Sequence, residues 1–139
     1  MSNTMKTGIL VEKVMTKHPV TVPPGTTLQK CAQTMTLKHV GSLLVKDGPG
    51  VVGIVTEQDI VRKAVGKNLS PMTHVDEIME MKLVFVSRKQ DISNAIIKMR
   101  QHNIRHLPVM DEREQFVGFV TSKDILRIQP DLFRILAKK

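Results

Sequence analysis

Gly53-Ile54-Val55-Thr56-Glu57-Gln58-Asp59 returns 65 positions later as Gly118-Phe119-Val120-Thr121-Ser122-Lys123-Asp124. Glycine, valine, threonine and aspartate keep their places. Downstream, Ile60 matches Ile125 and Arg62 matches Arg127. Upstream, Val52 matches Val117, and beyond a polar turn the offset becomes 64. There Met15 falls on Met79, Val20 on Val84, Val22 on Val86 and Met35 on Met99. Leu43 falls on Leu107, Val45 on Val109 and Asp47 on Asp111. The extra residue lies in Gly48-Pro49-Gly50 against Glu112-Arg113-Glu114-Gln115, a turn that tolerates a change of length. Self-similarity at this period marks a duplicated supersecondary unit.

Each copy reads alike. A short strand, Val20–Val22 or Val84–Val86, precedes a helix. Leu28, Cys31, Ala32 and Met35 share one helix face, and Ile92, Ala95, Ile96 and Met99 repeat it. Gly25-Thr26-Thr27 and Asp91 supply turn and N-cap chemistry. Valine-rich strands follow, Leu43–Lys46 with Val51–Val55 and Leu107–Met110 with Phe116–Val120. A second helix starts at Thr56 or Thr121. The expected class is therefore α/β, two β-α-β-β-α repeats packed through their sheets with pseudo-two-fold symmetry, since one such unit alone buries too little surface. The expected bounds are a tail at 1–10, repeats at 11–64 and 76–128, a linker at 65–75, and a helical tail at 129–139. In that tail Leu132, Phe133 and Leu136 pack on their own domain or on a second subunit.

The 139 residues are 41% hydrophobic but only 3% aromatic, so aliphatic residues and nine methionines must fill the interior. No apolar run reaches membrane-helix length, and no secretory h-region opens the chain. A single cysteine, Cys31, excludes an internal disulfide and a Cys-based zinc cluster, which makes the cytoplasm the expected location. The net charge of +8 favours a phosphate-bearing partner, nucleotide or nucleic acid.

Thr56 with Asp59, and Thr121 with Asp124, open a helix directly after a strand. Free N–H groups there suit phosphate, and the carboxylate suits a ribose diol. The same Thr-x-x-Asp spacing is also a capping box, and the residues alone leave both readings open. Gly53 and Gly118 would admit close approach by a ligand or a partner strand. Arg105, His106 and Lys123 are the phosphate candidates. His102 and His106 share helical spacing without a third ligand, so no metal site is expected.

Val14-Met15-Thr16, the two Gly-to-Asp phrases and Arg105-His106-Leu107-Pro108-Val109 together resemble the CBS domain family, arranged as a tandem pair (a Bateman module). The resemblance covers roughly Val11 to Arg127. It implies a regulatory, non-enzymatic homodimer that senses AMP, ADP, ATP or S-adenosylmethionine in the cleft between the repeats and acts on an unidentified regulated protein. It places ribose and phosphate at Thr56, Asp59, Thr121 and Asp124. The adenine candidates it implies are Thr21, Val22, Pro23, Val40, Gly41, Ser42 and Leu43, with Ile104, Arg105, His106 and Pro108 in the second copy. Backbone groups near Val40 and Ile104 are expected to read the base edge. The copies diverge where it matters: Phe85 replaces Thr21, Arg105-His106 replaces Gly41-Ser42, and Pro108 replaces Leu44. Unequal sites are therefore expected. A nucleic-acid-binding module using the basic surface is the alternative. No nucleophile–base pair or paired carboxylates can be assembled for an enzyme.

Overall fold

A computed structural model describes residues 6–137. The elements run α1 (Val11–Val14), β1 (Thr21–Val22), α2 (Leu28–Lys38), β2 (Ser42–Asp47), β3 (Gly50–Thr56) and α3 (Glu57–Asp59). The turn of α3 continues as π-helix over Ile60–Ala64 and as 3-10 helix over Val65–Lys67. After a 3-10 turn at Val75–Glu77 come β4 (Val86–Ser87), α4 (Ile92–His102), β5 (His106–Met110), β6 (Phe116–Thr121) and α5 (Ser122–Ile128). A 3-10 turn, Pro130–Leu132, leads into α6 (Phe133–Ala137). The mixed α/β class read from the sequence holds.

Two three-stranded sheets form, ordered β1-β2-β3 and β4-β5-β6. In each, the first strand is parallel to the second and the second antiparallel to the third. Thr27 caps α2 by accepting from Lys30 N, and Asp91 caps α4 by accepting from Ser93 N. Both helices end on a left-handed residue, His39 (φ 57°) and Asn103 (φ 54°), which turns the chain into the next strand.

The strands of the two sheets differ at their starts for a covalent reason. Leu44 N donates to Val20 O at 3.2 Å. Its counterpart Pro108 has no N–H; β1 begins at Thr21, one residue after the expected Val20, and β4 at Val86, one position later still than the matching Phe85.

The chain packs as two compact units, Pro19–Leu83 and the segment up to His18 joined with Val84 onward. The units cut across the repeats. Residues 9–16 complete the sheet and helix of the second repeat: Ile92 N donates to Ile9 O, Val11 N to Gln90 O, and Thr16 exchanges two bonds with Phe119. Residues 73–80 do the same for the first: Leu28 N donates to Thr73 O, Val75 N to Thr26 O, and Glu80 exchanges two bonds with Ile54. These straps explain the repeated glycines. A Cβ at Gly53 would lie 2.5 Å from Met79 Sδ, and one at Gly118 would lie 2.5 Å from Met15 Sδ. The close approach expected there is made by methionine.

Each unit has its own core. One gathers Val22, Leu28, Cys31, Met35, Leu43, Val45 and Val55. The other gathers Val11, Ile92, Ile96, Met99, Leu107, Val120 and Ile125, closed by Leu132 and Leu136 from the C-terminal segment. Phe133 points away and stays 59% exposed. The tail thus packs on its own unit through Leu132 and Leu136, while Lys138 and Lys139 lie outside the described residues.

Candidate functional site

The register brings the two diverged positions of each repeat against its helix start. In the first unit Ser42 pairs with Thr56, and Glu57 N donates to Gly41 O at 3.0 Å. In the second, His106 pairs with Thr121, and Ser122 N donates to Arg105 O at 2.9 Å. Strand entry and helix entry therefore form one junction per unit.

Both junctions are held by complete capping boxes. Thr56 Oγ1 accepts from Asp59 N at 3.1 Å while Asp59 Oδ2 accepts from Thr56 N at 2.9 Å. Thr121 and Asp124 repeat this at 3.2 and 3.0 Å. The capping reading is thus realised, and it uses one carboxylate oxygen of each aspartate. A carboxylate accepts through both oxygens, so the box leaves Oδ1 to other partners. At Asp59 that oxygen meets Lys63 Nζ at 3.3 Å. At Asp124 the corresponding position is Ile128, and the pair has no counterpart. Lys63 lies one helical turn beyond Asp59, a spacing visible in the sequence.

Around the first junction, Thr21 and Pro23 are exposed and Ser42 half-buried, whereas Val22 and Leu43 lie in the core. Gly41 is exposed, with Glu57 Oε1 only 3.0 Å from where its Cβ would stand. Around the second, Arg105 and Lys123 are exposed, and His106 is half-buried and stacked on Phe119 with ring centroids 6.0 Å apart. Pro108 is buried opposite Phe119. Gln58 occupies the place of Lys123 in the first repeat.

The amides of Val40 and Ile104 close the preceding helices, donating to Met35 O at 3.1 Å and Met99 O at 2.9 Å. The carbonyls of Gly41 and Arg105 accept from Glu57 and Ser122. Among the described residues no group of three or more His, Cys, Asp or Glu is arranged to hold a metal, and no helix is long and apolar enough to cross a membrane.

Lys98 belongs to the site's support and was not read from the sequence. Its ammonium donates to Phe85 O at 2.6 Å, reaching from α4 to the start of the first strand. Nothing in the spacing of α4 announces this, because Thr34 at the equivalent position bonds within its own helix, to Lys30 O.

Duplicated β-α-β-β-α units with a capped threonine–aspartate junction in each define a class of tandem-repeat α/β folds. The chain belongs to the CBS domain family: the family model matches residues 11–66 and 75–131. The CBS domain pair of protein MJ0100, solved with 5′-methylthioadenosine and S-adenosyl-L-methionine, is similar at 29% identity and TM-score 0.79, covering 88% of this chain and 97% of that one. A CBS domain protein from Pyrobaculum aerophilum complexed with AMP is 26% identical with TM-score 0.80, covering 94% and 100%. The L-aspartate semialdehyde sulfurtransferase of Methanocaldococcus jannaschii is 32% identical over 126 residues, which is 89% of this chain but 24% of that protein. The chain spans less than two thirds of the length of such longer curated relatives.

Proposed function

We propose that this chain is a regulatory ligand-sensing module whose strand–helix junctions bind an adenosine-containing ligand, with Thr56 and Asp59 serving one repeat and Thr121 and Asp124 the other. The observation that carries the reading is the repeated junction itself. Each places a half-buried hydroxyl and carboxylate beside the entry of a central strand, and each box leaves one carboxylate oxygen outside the cap. Similar solved proteins hold AMP, or 5′-methylthioadenosine with S-adenosylmethionine, which supports an adenosyl ligand as the class. Arg105, His106 and Lys123 give the second repeat its phosphate contacts, and Thr21, Gly41 and Ser42 give the first a neutral, hydroxyl-bearing wall. In this reading the chain catalyses nothing; it forms a homodimer, and ligand occupancy biases what a partner protein meets.

The test is thermal unfolding with AMP, ADP, ATP, S-adenosylmethionine or 5′-methylthioadenosine, followed by calorimetry. A ligand at a hundred times its Kd stabilises the native state by about 2.7 kcal/mol. Asp124→Asn and Asp59→Asn retain a cap acceptor but lose the charge, and each should weaken binding at its own junction. No shift with any of these ligands at millimolar concentration overturns the proposal.

A further inference from the structure

The two junctions part company one helical turn beyond their aspartates. After Asp124, α5 continues as regular α-helix to Ile128. After Asp59 the chain widens into the π-helical turn Ile60–Ala64, with Val65 N shared between Ile60 O and Val61 O. Such turns are rare and recur at functional sites. This one carries Lys63, whose ammonium lies 3.3 Å from Asp59 Oδ1 and 3.5 Å from Ile78 O on the strap. The ammonium is therefore held from two sides, by its own helix and by the segment that completes the sheet. Ile128 takes the place of Lys63 in the second repeat and has no side-chain donor. Among the described residues no cation pairs with Asp124.

We infer that Lys63 is an internal competitor for the ligand's hydroxyls at the first junction, and that the second junction, which has no such competitor, fills first. This order of filling rests on the adenosyl reading proposed above. In each capping box Oδ2 of the aspartate accepts from the threonine amide. A vicinal diol offers two O–H donors and calls on the remaining lone pairs of the carboxylate. At Asp124 those lone pairs meet no ammonium among the described residues. At Asp59 one of them is engaged by Lys63, so the ligand must part an ion pair to complete its own bonds. The Asp59 side chain is 16% exposed but that of Lys63 is 46% exposed. The pair is therefore worth the modest amount of a solvent-screened contact, and not that of a buried one. Once displaced, the ammonium keeps only the long contact to Ile78 O and regains its water. Competition of this strength lowers affinity at the first junction by about two- to fivefold.

The experiment titrates the intact chain, Lys63→Met and Ile128→Lys with 5′-methylthioadenosine, reading each junction separately from the amide resonances of Thr56 and Thr121. This ligand carries no phosphate, so gaining or losing one lysine acts on it through competition and not through general charge attraction. In the wild type Thr121 should respond at lower ligand concentration than Thr56. Lys63→Met should tighten binding at Thr56 by about two- to fivefold and leave Thr121 unchanged. Ile128 is 51% exposed, so Ile128→Lys fits at the surface, and its spacing brings an ammonium within reach of Asp124. It should weaken binding at Thr121 by a similar factor and leave Thr56 unchanged. In the wild type the side-chain resonances of Lys63 should move in step with Thr56. Thr56 responding before Thr121, unchanged or weaker binding at Thr56 in Lys63→Met, or unchanged binding at Thr121 in Ile128→Lys overturns the inference and leaves the adenosyl reading standing. If 5′-methylthioadenosine binds none of the three proteins the inference falls, and if AMP and S-adenosylmethionine also fail the adenosyl reading falls with it.

Discussion

Replacing Asp91 should cost more than replacing any other helix cap in the chain, because it fastens a strap as well as a helix. Its carboxylate is only 9% exposed. It accepts from Ser93 N at 3.0 Å and Ser93 Oγ at 2.9 Å, as an N-cap does. It also accepts from Thr7 N at 3.0 Å, Thr7 Oγ1 at 2.9 Å and Gly8 N at 2.8 Å, across more than eighty residues of sequence. Burial alone would raise its pKa. The hydrogen bonds from the Ser93 and Thr7 backbones and hydroxyls outweigh burial and hold the carboxyl down at about 2, against an ordinary 3.8. At 1.36 kcal/mol per pH unit this difference amounts to about 2.5 kcal/mol favouring the folded state when the group is ionised. Asp91→Ala should therefore destabilise by about 3 kcal/mol in urea unfolding at neutral pH, once the orphaned donors are included. Thr27→Ala is the internal control. It removes a single capping bond, from Lys30 N at 3.1 Å, and should cost about 1 kcal/mol. Because the folded-state pKa lies below the unfolded one, the carboxylate's contribution is complete above about pH 4 and disappears as the pH falls through about 2. The gap between wild type and Asp91→Asn should close over that same window. Equal costs for Asp91→Ala and Thr27→Ala, or an Asn gap that persists undiminished at pH 2, would refute the reasoning.

Three further outcomes follow from packing. Gly118→Ala should destabilise more than Gly53→Ala, by about 1–3 kcal/mol in urea titration, because its Cβ would meet the Thr16 carbonyl at 3.0 Å as well as Met15, whereas the three atoms nearest a Cβ at Gly53 all belong to the flexible Met79 side chain. In the tail, Leu132→Ala should cost about 2–5 kcal/mol and Phe133→Ala almost nothing by the same assay, since Leu132 is 0% exposed and Phe133 59%. Burial pushes the Cys31 thiol up to about 11, so little thiolate forms at pH 8, and iodoacetamide should label it only after urea unfolding, as followed by mass spectrometry.

Much of the fold could be read because its signals are local. The i, i+3, i+4, i+7 stripe from Leu28 to Met35 and its copy from Ile92 to Met99 require only helical geometry, and both helices formed where the stripes lie. The strand begins at Val86 and not at the expected Val84 for a reason that is not local. Its pairing depends on whether residue 108 can donate, which involves a residue on another strand. Of the candidate site, Thr56, Asp59, Thr121 and Asp124 could be located but their role could not be decided from spacing, since a capping box and a ligand cradle use the same atoms. The structure shows the box complete and still leaves a carboxylate oxygen beyond it, so the two readings are compatible.

The straps were beyond reach for a deeper reason. A duplicated sequence is degenerate about its own connectivity. Met15 matches Met79 and Gly53 matches Gly118, so the pattern is satisfied equally well whether Met15 covers the glycine of its own repeat or that of the other. Composition, periodicity and motif spacing are identical in the two arrangements. Only the path of the backbone distinguishes them, and it puts Met15 over Gly118 and Met79 over Gly53. The same exchange explains why Asp91, in the second repeat, is bonded to Thr7 and Gly8 at the other end of the sequence. It also gives each compact unit a covalent dependence on the other repeat's chain: the unit from Pro19 to Leu83 interrupts the unit that the first eighteen residues help to complete. Neither repeat, excised at its sequence bounds, would carry the strap that its glycine was shaped to receive.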